Sequence, residues 1–367
     1  MRGCVRVGFD ARWYNDSGVG SYIAGLLPAL VHAGCEMVVY VDLKNLLPEL
    51  ERLSVKIVPM NSGKYSPFAS FEFQARATKD KLDLFHSPFY AMPRLKCPVV
   101  ITIHDLIPFL FPIYPRWKQE IVKAGYRFAA RRAAHIIADS QNTANDVQKA
   151  LGVAQNKVTV VHLAASEKSF HPHAKEWEVG RLQQKFGVSQ PYVVAASAHN
   201  WRTKNLEGAL ATLTQAQSNT DIHFQTVVYG SSEGLKAVNH ELLQRLNVRQ
   251  VGHIATEDLA ALFRHAHAFI MPSFYEGFGL PLVEAMSCSC PVITSNCGSL
   301  PEVAGTGAQC FDPADISGMA DAIAELLRSS EELKRRKEGA LKRAADFSWN
   351  KAALETIAVY HHVFDHT

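Results

Sequence analysis

A chain of 367 residues is long enough for two ordinary domains, each with its own core. Its formal charge of +3 is too small to argue for nucleic acid, and no base-reading motif occurs. The cysteines are odd in number and lack a C-x-x-C pair, so Cys288-Ser289-Cys290 reads as buried free thiols rather than half of a metal site. No stretch reaches the roughly 18 apolar residues of a membrane span. Met1–Val5 leads into a strand without the apolar run of a signal peptide, so the expectation is a cytoplasmic protein with reduced thiols.

Val5–Phe9 is the first predicted strand and Asp10–Gly20 a polar loop, after which Val19, Tyr22, Ile23, Leu26, Leu27 and Leu30 recur at helical spacing. The loop carries Gly18-x-Gly20, but isoleucine at position 23 leaves the dinucleotide fingerprint incomplete, which counts against a nicotinamide enzyme. Strand-like runs follow at Met37–Val41, Val55–Val58, Leu84–His86 and Val99–His104, alternating with helical or irregular segments, the pattern of a doubly wound parallel sheet. Asp83-Leu84-Phe85-His86-Ser87-Pro88 and Ile103-His104-Asp105-Leu106 both end strands, and such sheets bind ligands beyond their carboxyl ends. Trp117–Ala134 is a basic amphipathic helix carrying Lys118, Lys123, Arg127, Arg131 and Arg132. Such a helix suits an anionic membrane surface, but the sequence favours a crossover helix with a solvated face, because His135–Ala138 looks like the next strand. Val158–His162 closes the first domain, and the polar segment Leu163–Lys185 reads as a linker.

A second doubly wound domain opens with Tyr192–Ala196. The loop His199-Asn200-Trp201-Arg202-Thr203-Lys204-Asn205 then delivers two cations just before a helix. Further strands are expected at Ile222–Tyr229, Ala268–Met271 and Pro291–Thr294, and helices at Ile316–Leu327, Leu333–Ala345 and Ala352–Val363.

The centre of this half is Ser273–Glu284, S-F-Y-E-G-F-G-L-P-L-V-E. Gly277 and Gly279 allow a turn that ordinary residues strain, and Pro281 marks a helix start. A strand, a glycine turn and a helix start make an anion site, because free amides and the helix dipole favour a phosphate. Glu276 and Glu284 bracket it, and a carboxylate suits the neighbouring hydroxyls of a sugar or ribose. Taken singly, Glu284 reads equally well as a dipole complement and Glu276 as an exposed turn residue. Asn296-Cys297-Gly298-Ser299 with Pro301 offers a second helix start nearby.

The whole string resembles the Glu-x7-Glu signature of the retaining glycosyltransferases of family four, and the likeness continues through Cys290-Pro291-Val292-Ile293 and Leu300-Pro301-Glu302-Val303. Ser289 stands where this family usually has glycine. The resemblance implies α/β architecture of the GT-B type, two Rossmann-like doubly wound parallel-sheet domains facing across a cleft. It divides the chain into an acceptor-side domain over 1–170, a nucleotide-sugar domain over 171–348 and a final helix over 349–367 that crosses back. It implies hexosyl transfer from a nucleotide diphosphate sugar to an acceptor hydroxyl of a glycan or lipid-linked acceptor, by front-face attack without a bound metal; no D-x-D motif occurs.

Carried over position by position, the resemblance gives Glu276 the ring hydroxyls of the sugar and Glu284 the ribose, with Gly277, Phe278, Gly279 and Leu280 along the donor. Lys204, with Arg202 as helper, meets the diphosphate, although Thr203 interrupts the usual Arg-Lys-Asn string. Gly20 lies near the donor phosphates, Ile254 near the nucleobase, and His104, in a His-Asp-Leu string like that of mannosyltransferase-like members, near the sugar's primary hydroxyl. His86 is open between a structural and an acceptor-side role. The Asp10–Tyr22 loop and the His86 and His104 strings resemble bacterial mannosyltransferases, which implies GDP-mannose as donor with a UDP-hexose as runner-up. A nucleotide-sugar epimerase or phosphorylase and a catalytically silent binding protein are the rival classes. Lipid-linked acceptors would bring the protein to the inner face of a membrane.

Overall fold

The computed structural model describes residues 5–14, 17–42, 50, 52–64, 66, 68–197 and 201–367. The chain divides into two α/β units, Met1–Ala164 with Ser348–Thr367, and Ala165–Phe347.

In the first unit, β1 (Arg6–Asp10), β2 (Glu36–Asp42), β3 (Lys56–Met60), β4 (Leu84–Ser87), β5 (Val99–Ile103), β6 (His135–Ala138) and β7 (Val158–Val160) form one sheet. Its order is β3-β2-β1-β4-β5-β6-β7, and every pairing is parallel. Runs such as Val99-Val100-Ile101-Thr102-Ile103 are buried at every position, as they must be in a sheet covered on both faces. Val38, Tyr40, Phe73, Phe85, Ile101 and Ile136 fill the core on one side. The chain's last helix, Trp349–Asp365, belongs to this unit. Ser348 caps it by accepting the Lys351 N–H at 3.2 Å. It packs on the first helix, Ser17–His32, with the Trp349 ring 6.3 Å from Tyr22.

The second unit holds β8 (Tyr192–Ser197), β9 (Gln225–Gly230), β10 (Val248–Gly252), β11 (Ala268–Met271), β12 (Val292–Ser295) and β13 (Gln309–Phe311). Their order is β10-β9-β8-β11-β12-β13, again all parallel. Val193, Leu210, Val228, Ile270, Ile293 and Ile323 lie in its core.

Both sheets are doubly wound, as the alternation of runs predicts. Two local expectations need correction. The helix Trp177–Phe186 lies where a linker through Lys185 was expected. Glycine at 180 and only one buried apolar residue, Leu182, hide its period, and ion pairs hold it instead: Glu178 to Arg264 at 2.6 Å, and Arg181 and Lys185 to Asp258 at 2.6 and 2.7 Å. The first helix begins at Ser17, so Gly20 sits inside it rather than in a loop. The strand whose end resembles the family's at Val251–Gly252 opens at Val248, with exposed polar residues, Arg249 and Gln250, on this edge.

Ser289 adopts the left-handed conformation, φ 58°, that glycine takes without strain. Its hydroxyl donates to the Lys337 carbonyl at 3.0 Å, which compensates part of that strain.

Candidate active site

Open parallel sheets bind ligands beyond the carboxyl ends of the strands where the order reverses. In the second unit that point lies between β8 and β11. The short helix Trp201–Lys204 follows β8, and the turn holding Glu276 follows β11. Across this point Lys204 Nζ donates to both Glu276 carboxylate oxygens at 2.5 Å, and Ser273 Oγ donates to one of them at 2.7 Å. Glu276 is 6% exposed, so its charge is tolerable only with these partners. Ser299 Oγ and N–H donate to the Glu276 carbonyl at 3.0 and 3.4 Å. The Asn296–Ser299 loop, which leads into the expected helix start at Leu300–Ala304, thus clamps this turn.

Asn205 explains how Lys204 is delivered. It adopts the left-handed conformation that asparagine tolerates (φ 52°, ψ 47°) and caps the helix Leu206–Ser218 by accepting the Gly208 N–H at 3.2 Å. Its amide donates to the Pro272 and Pro313 carbonyls at 3.1 and 3.3 Å. The buried Thr203 accepts the Phe274 N–H through its carbonyl at 2.8 Å. The interrupted string Arg202-Thr203-Lys204-Asn205 thus ties the end of β8 to the β11 turn. The Arg202 side chain lies outside the described residues.

Gly279 is the N-cap of the helix Leu280–Ser287, at φ 92°, and a Cβ there would lie 2.9 Å from Leu300 Cδ2, so both backbone and space require glycine. Gly277 is buried, as is Phe278, whose ring packs 5.7 Å from Phe347. Glu284 stands one turn into this helix, half-buried, and no hydrogen bond or ion pair among the described residues reaches its carboxylate. Burial raises its pKa to about 7. At the end of β9 the Tyr229 hydroxyl is buried without a partner among the described residues. Burial lifts its pKa well above the ordinary value, reinforced by the negative fields of Glu284 and Glu276. An unpartnered phenol and an unpartnered carboxylate in one field are groups that a hydroxyl-bearing ligand satisfies. Sequence reasoning missed Tyr229; the available signal was a polar-tipped aromatic next to the carboxyl end of a strand. Ile254, half-buried, follows β10 in the loop after Gly252.

In the first unit the order reverses between β1 and β4. Beyond β1, Arg12 and Asp10 form a fully buried pair that the sequence reading passed over as loop. Arg12 Nε and Nη2 donate to the Asp10 carboxylate at 2.8 Å each, and Nη1 donates to the Ser62 and Gly63 carbonyls at 3.1 and 3.2 Å. A Cβ on Gly20 would lie 2.1 Å from the Tyr14 carbonyl oxygen, so glycine lets the first turn of the helix close onto this loop.

His104 follows β5. Its Nδ1 donates to Asp139 at 2.6 Å and its Nε2 donates to the Pro88 carbonyl at 2.9 Å. Burial opposes the charged ring, but the Asp139 carboxylate, the Pro88 carbonyl and Asp105 outweigh it, and the pKa is raised. An acceptor beside each nitrogen favours the protonated ring and fixes its orientation. His86 is wholly buried between the Tyr360 hydroxyl at 2.6 Å and the Thr102 hydroxyl at 2.8 Å. Burial, helped by the His104 charge, lowers its pKa to about 3, which marks it as a neutral structural link to the last helix.

Residues 17–165 match the family described as Glycosyltransferase Family 4, and residues 181–343 match Glycosyl transferases group 1. The chain is 28% identical over 293 residues to an O-antigen chain mannosyltransferase B of Escherichia coli, covering 78% of this chain and 76% of that protein. It is 29% identical over 258 residues to an MMP alpha-(1->4)-mannosyltransferase of Mycolicibacterium hassiacum, covering 66% of this chain and 59% of that protein. Among solved structures, Anabaena Alr3699/HepE in complex with UDP and glucose superposes with a TM-score of 0.71 at 17% identity, over 97% of this chain and 99% of that one. These likenesses agree with the two parallel sheets in assigning the GT-B class of fold.

Proposed function

The chain belongs to the glycosyltransferases, a Family 4 domain preceding a group 1 domain, and from that premise we propose that it moves a mannosyl group from GDP-mannose to an acceptor hydroxyl of a glycan or glycolipid, with retention at the anomeric carbon. The observation that carries the reading is the Lys204–Glu276 pair at the strand reversal of the second sheet, with the unpartnered Glu284 eight residues on. In the transfer, the bond from the anomeric carbon to the diphosphate oxygen breaks and a bond to the acceptor oxygen forms. The acceptor's proton passes to the departing phosphate oxygen. Lys204 supplies positive charge where the leaving group gains negative charge, and such stabilisation is among the largest contributions to catalysis. As Lys204 turns to phosphate, Glu276 is free to accept from sugar hydroxyls. Glu284 receives the ribose hydroxyls in the same arrangement, and Ile254 and Gly20 stand by the base and the phosphates. His104, held by Asp139 and the Pro88 carbonyl, orients the sugar side of its own unit.

Two relatives named as mannosyltransferases support mannose as the sugar. A UDP-hexose is the second reading, motivated by the solved neighbour that holds UDP and glucose. A thermal-shift panel of nucleotide sugars, followed by product analysis with acceptor, tests the proposal, because a ligand that binds the native state raises its melting temperature. GDP-mannose should give the largest rise and an acceptor-dependent product of retained configuration. A larger rise with a UDP-sugar moves the donor to the second reading. Donor conversion without acceptor identifies an epimerase and overturns the transfer itself.

A further inference from the structure

We propose that His362 and His366, one turn apart near the end of the last helix, chelate a late first-row divalent metal ion such as zinc. Residues four apart on a helix stand one above the other on one face, the spacing at which two imidazoles close on a single ion. The two ring centroids are 4.5 Å apart, and both residues are exposed. The pair lies on the flank of the helix Trp349–Asp365 that borders β6, and the buried flank of that helix, with Thr356, Val359, Tyr360 and Val363, is spent on the core.

Hydrogen bonding selects the tautomer. His366 Nδ1 lies 2.7 Å from the His362 carbonyl oxygen, so it is the nitrogen that carries the proton and donates. In the neutral ring Nε2 then keeps its lone pair, the form in which imidazole binds a metal. A metal-bound histidine almost always gives its other N–H to a carbonyl or carboxylate in this way. Closing the helix end accounts for the Nδ1 bond, since the last turn leaves carbonyls without helical partners. It makes no use of Nε2.

The surroundings suit a cation. His135, the first residue of β6, packs edge-on against His362 at 5.7 Å and shares a hydrogen bond with the Thr159 hydroxyl at 2.8 Å. Burial, with the fields of His362 and Lys157, holds its pKa down at about 4, so it brings no competing charge near neutrality. Asp365 lines the same groove of about 480 Å³, and its carboxylate offers an acceptor to water on the ion. Two imidazole nitrogens with water suit zinc, copper(II) or nickel(II), whereas magnesium prefers oxygen. Because β6 begins at His135, the pair lies at the amino edge of the sheet, while His104 follows β5 at its carboxyl edge. The ion therefore clips the last turn of the helix and takes no part in transfer.

Calorimetric titration of the full chain with zinc chloride, and with magnesium chloride as control, tests the pair. Zinc should bind, and free zinc at about 100 times its dissociation constant should raise the folded-to-unfolded ratio about 100-fold, read as a higher melting temperature. His362→Gln and His366→Gln should each weaken zinc at least about tenfold, since losing even an outer partner of a ligand costs about 10–100-fold. Both residues are exposed, so the variants should fold as the wild type does. His361→Gln, on the next face of the helix, should bind zinc as the wild type does. The proposal fails if zinc does not bind, if magnesium binds as tightly, or if either of the first two variants keeps the wild-type affinity. It also fails if His361→Gln loses the ion, which would move the site to another face. The titration needs no nucleotide sugar, so its failure leaves the transfer reading standing, and loss of that reading leaves this one standing.

Discussion

Glu284→Gln should stabilise the empty protein at alkaline pH while weakening the donor. Burial without a partner raises this carboxyl from 4.5 to about 7. At 1.36 kcal/mol for each tenfold change in proton affinity, holding the ionised form in place costs about 3 kcal/mol above neutrality. The native state holds its proton more tightly than the unfolded chain does. The favourable contribution of the protonated group is therefore full below pH 4.5 and lost as pH rises through about 7. Glutamine keeps the shape and never ionises. The two proteins should melt together near pH 4.5, and the variant should melt progressively higher toward pH 8, by about 2–4 °C per kcal/mol for a unit of this size. Donor binding should move the other way, since a charge-assisted acceptor contributes roughly 1.5–3 kcal/mol. Melting curves from pH 4.5 to 8 with calorimetric titration of GDP supply both numbers. A melting difference that ignores pH, or unchanged GDP affinity in the folded variant, refutes the reasoning. A carboxylate that merely complements the helix dipole predicts the opposite sign for stability.

Lys204→Ala should lower turnover at saturating donor by more than it weakens donor binding, because the charge it meets grows toward the transition state; equal losses in the two would remove it from the reacting centre. Wild-type turnover should persist in a chelator, and its disappearance would bring a metal to the diphosphate. Arg12→Met should lower the stability of the first unit by about 3–5 kcal/mol in denaturant melts, because it leaves Asp10 buried and unpaired; a loss under about 1 kcal/mol would mean that water reaches the pair. His86 titrates near 3 when folded and near 6.5 when unfolded, so its contribution is present above 6.5 and falls away as pH drops toward 3. His86→Asn should therefore show a shallower acid slope in melting temperature than the wild type, and equal slopes would place the acid sensitivity elsewhere.

Much of the fold was legible because parallel strands buried on both faces announce themselves as continuous apolar runs, as at Val99–Ile103 and Ala268–Met271. What stayed hidden lacked that signal. The helix Trp177–Phe186 is held by ion pairs to Arg264 and Asp258, and no local pattern foretells partners that distant. The strand Gln309–Phe311 has three residues, none of them buried, too few for any period. In the candidate site, the glycine turn and helix start could be read because φ at Gly279 leaves a mark in residue type, whereas the two glutamates were singled out only by the resemblance of the whole string. The Asp10–Arg12 pair, and the open hydroxyl of Tyr229, could not, since burial and missing partners arise only when strand ends are brought together.

Satisfaction of hydrogen bonds, rather than residue type, then separates the roles. His86 and the Asp10–Arg12 pair have partners on every side, so their removal leaves a buried polar group orphaned and the consequence is structural. Tyr229 lies in the field of Glu284, and among the described residues neither group is hydrogen-bonded, so a ligand is what either has to gain from. Glu276 lies between these cases. Its carboxylate is fully engaged by Lys204 and Ser273, and it becomes available only when another anion takes Lys204. Phosphate is such an anion, and it carries more charge than the carboxylate it displaces. On the proposed reading, diphosphate binding and the freeing of Glu276 are the same event, so a nucleotide without its diphosphate should bind without turning Glu276 toward a sugar.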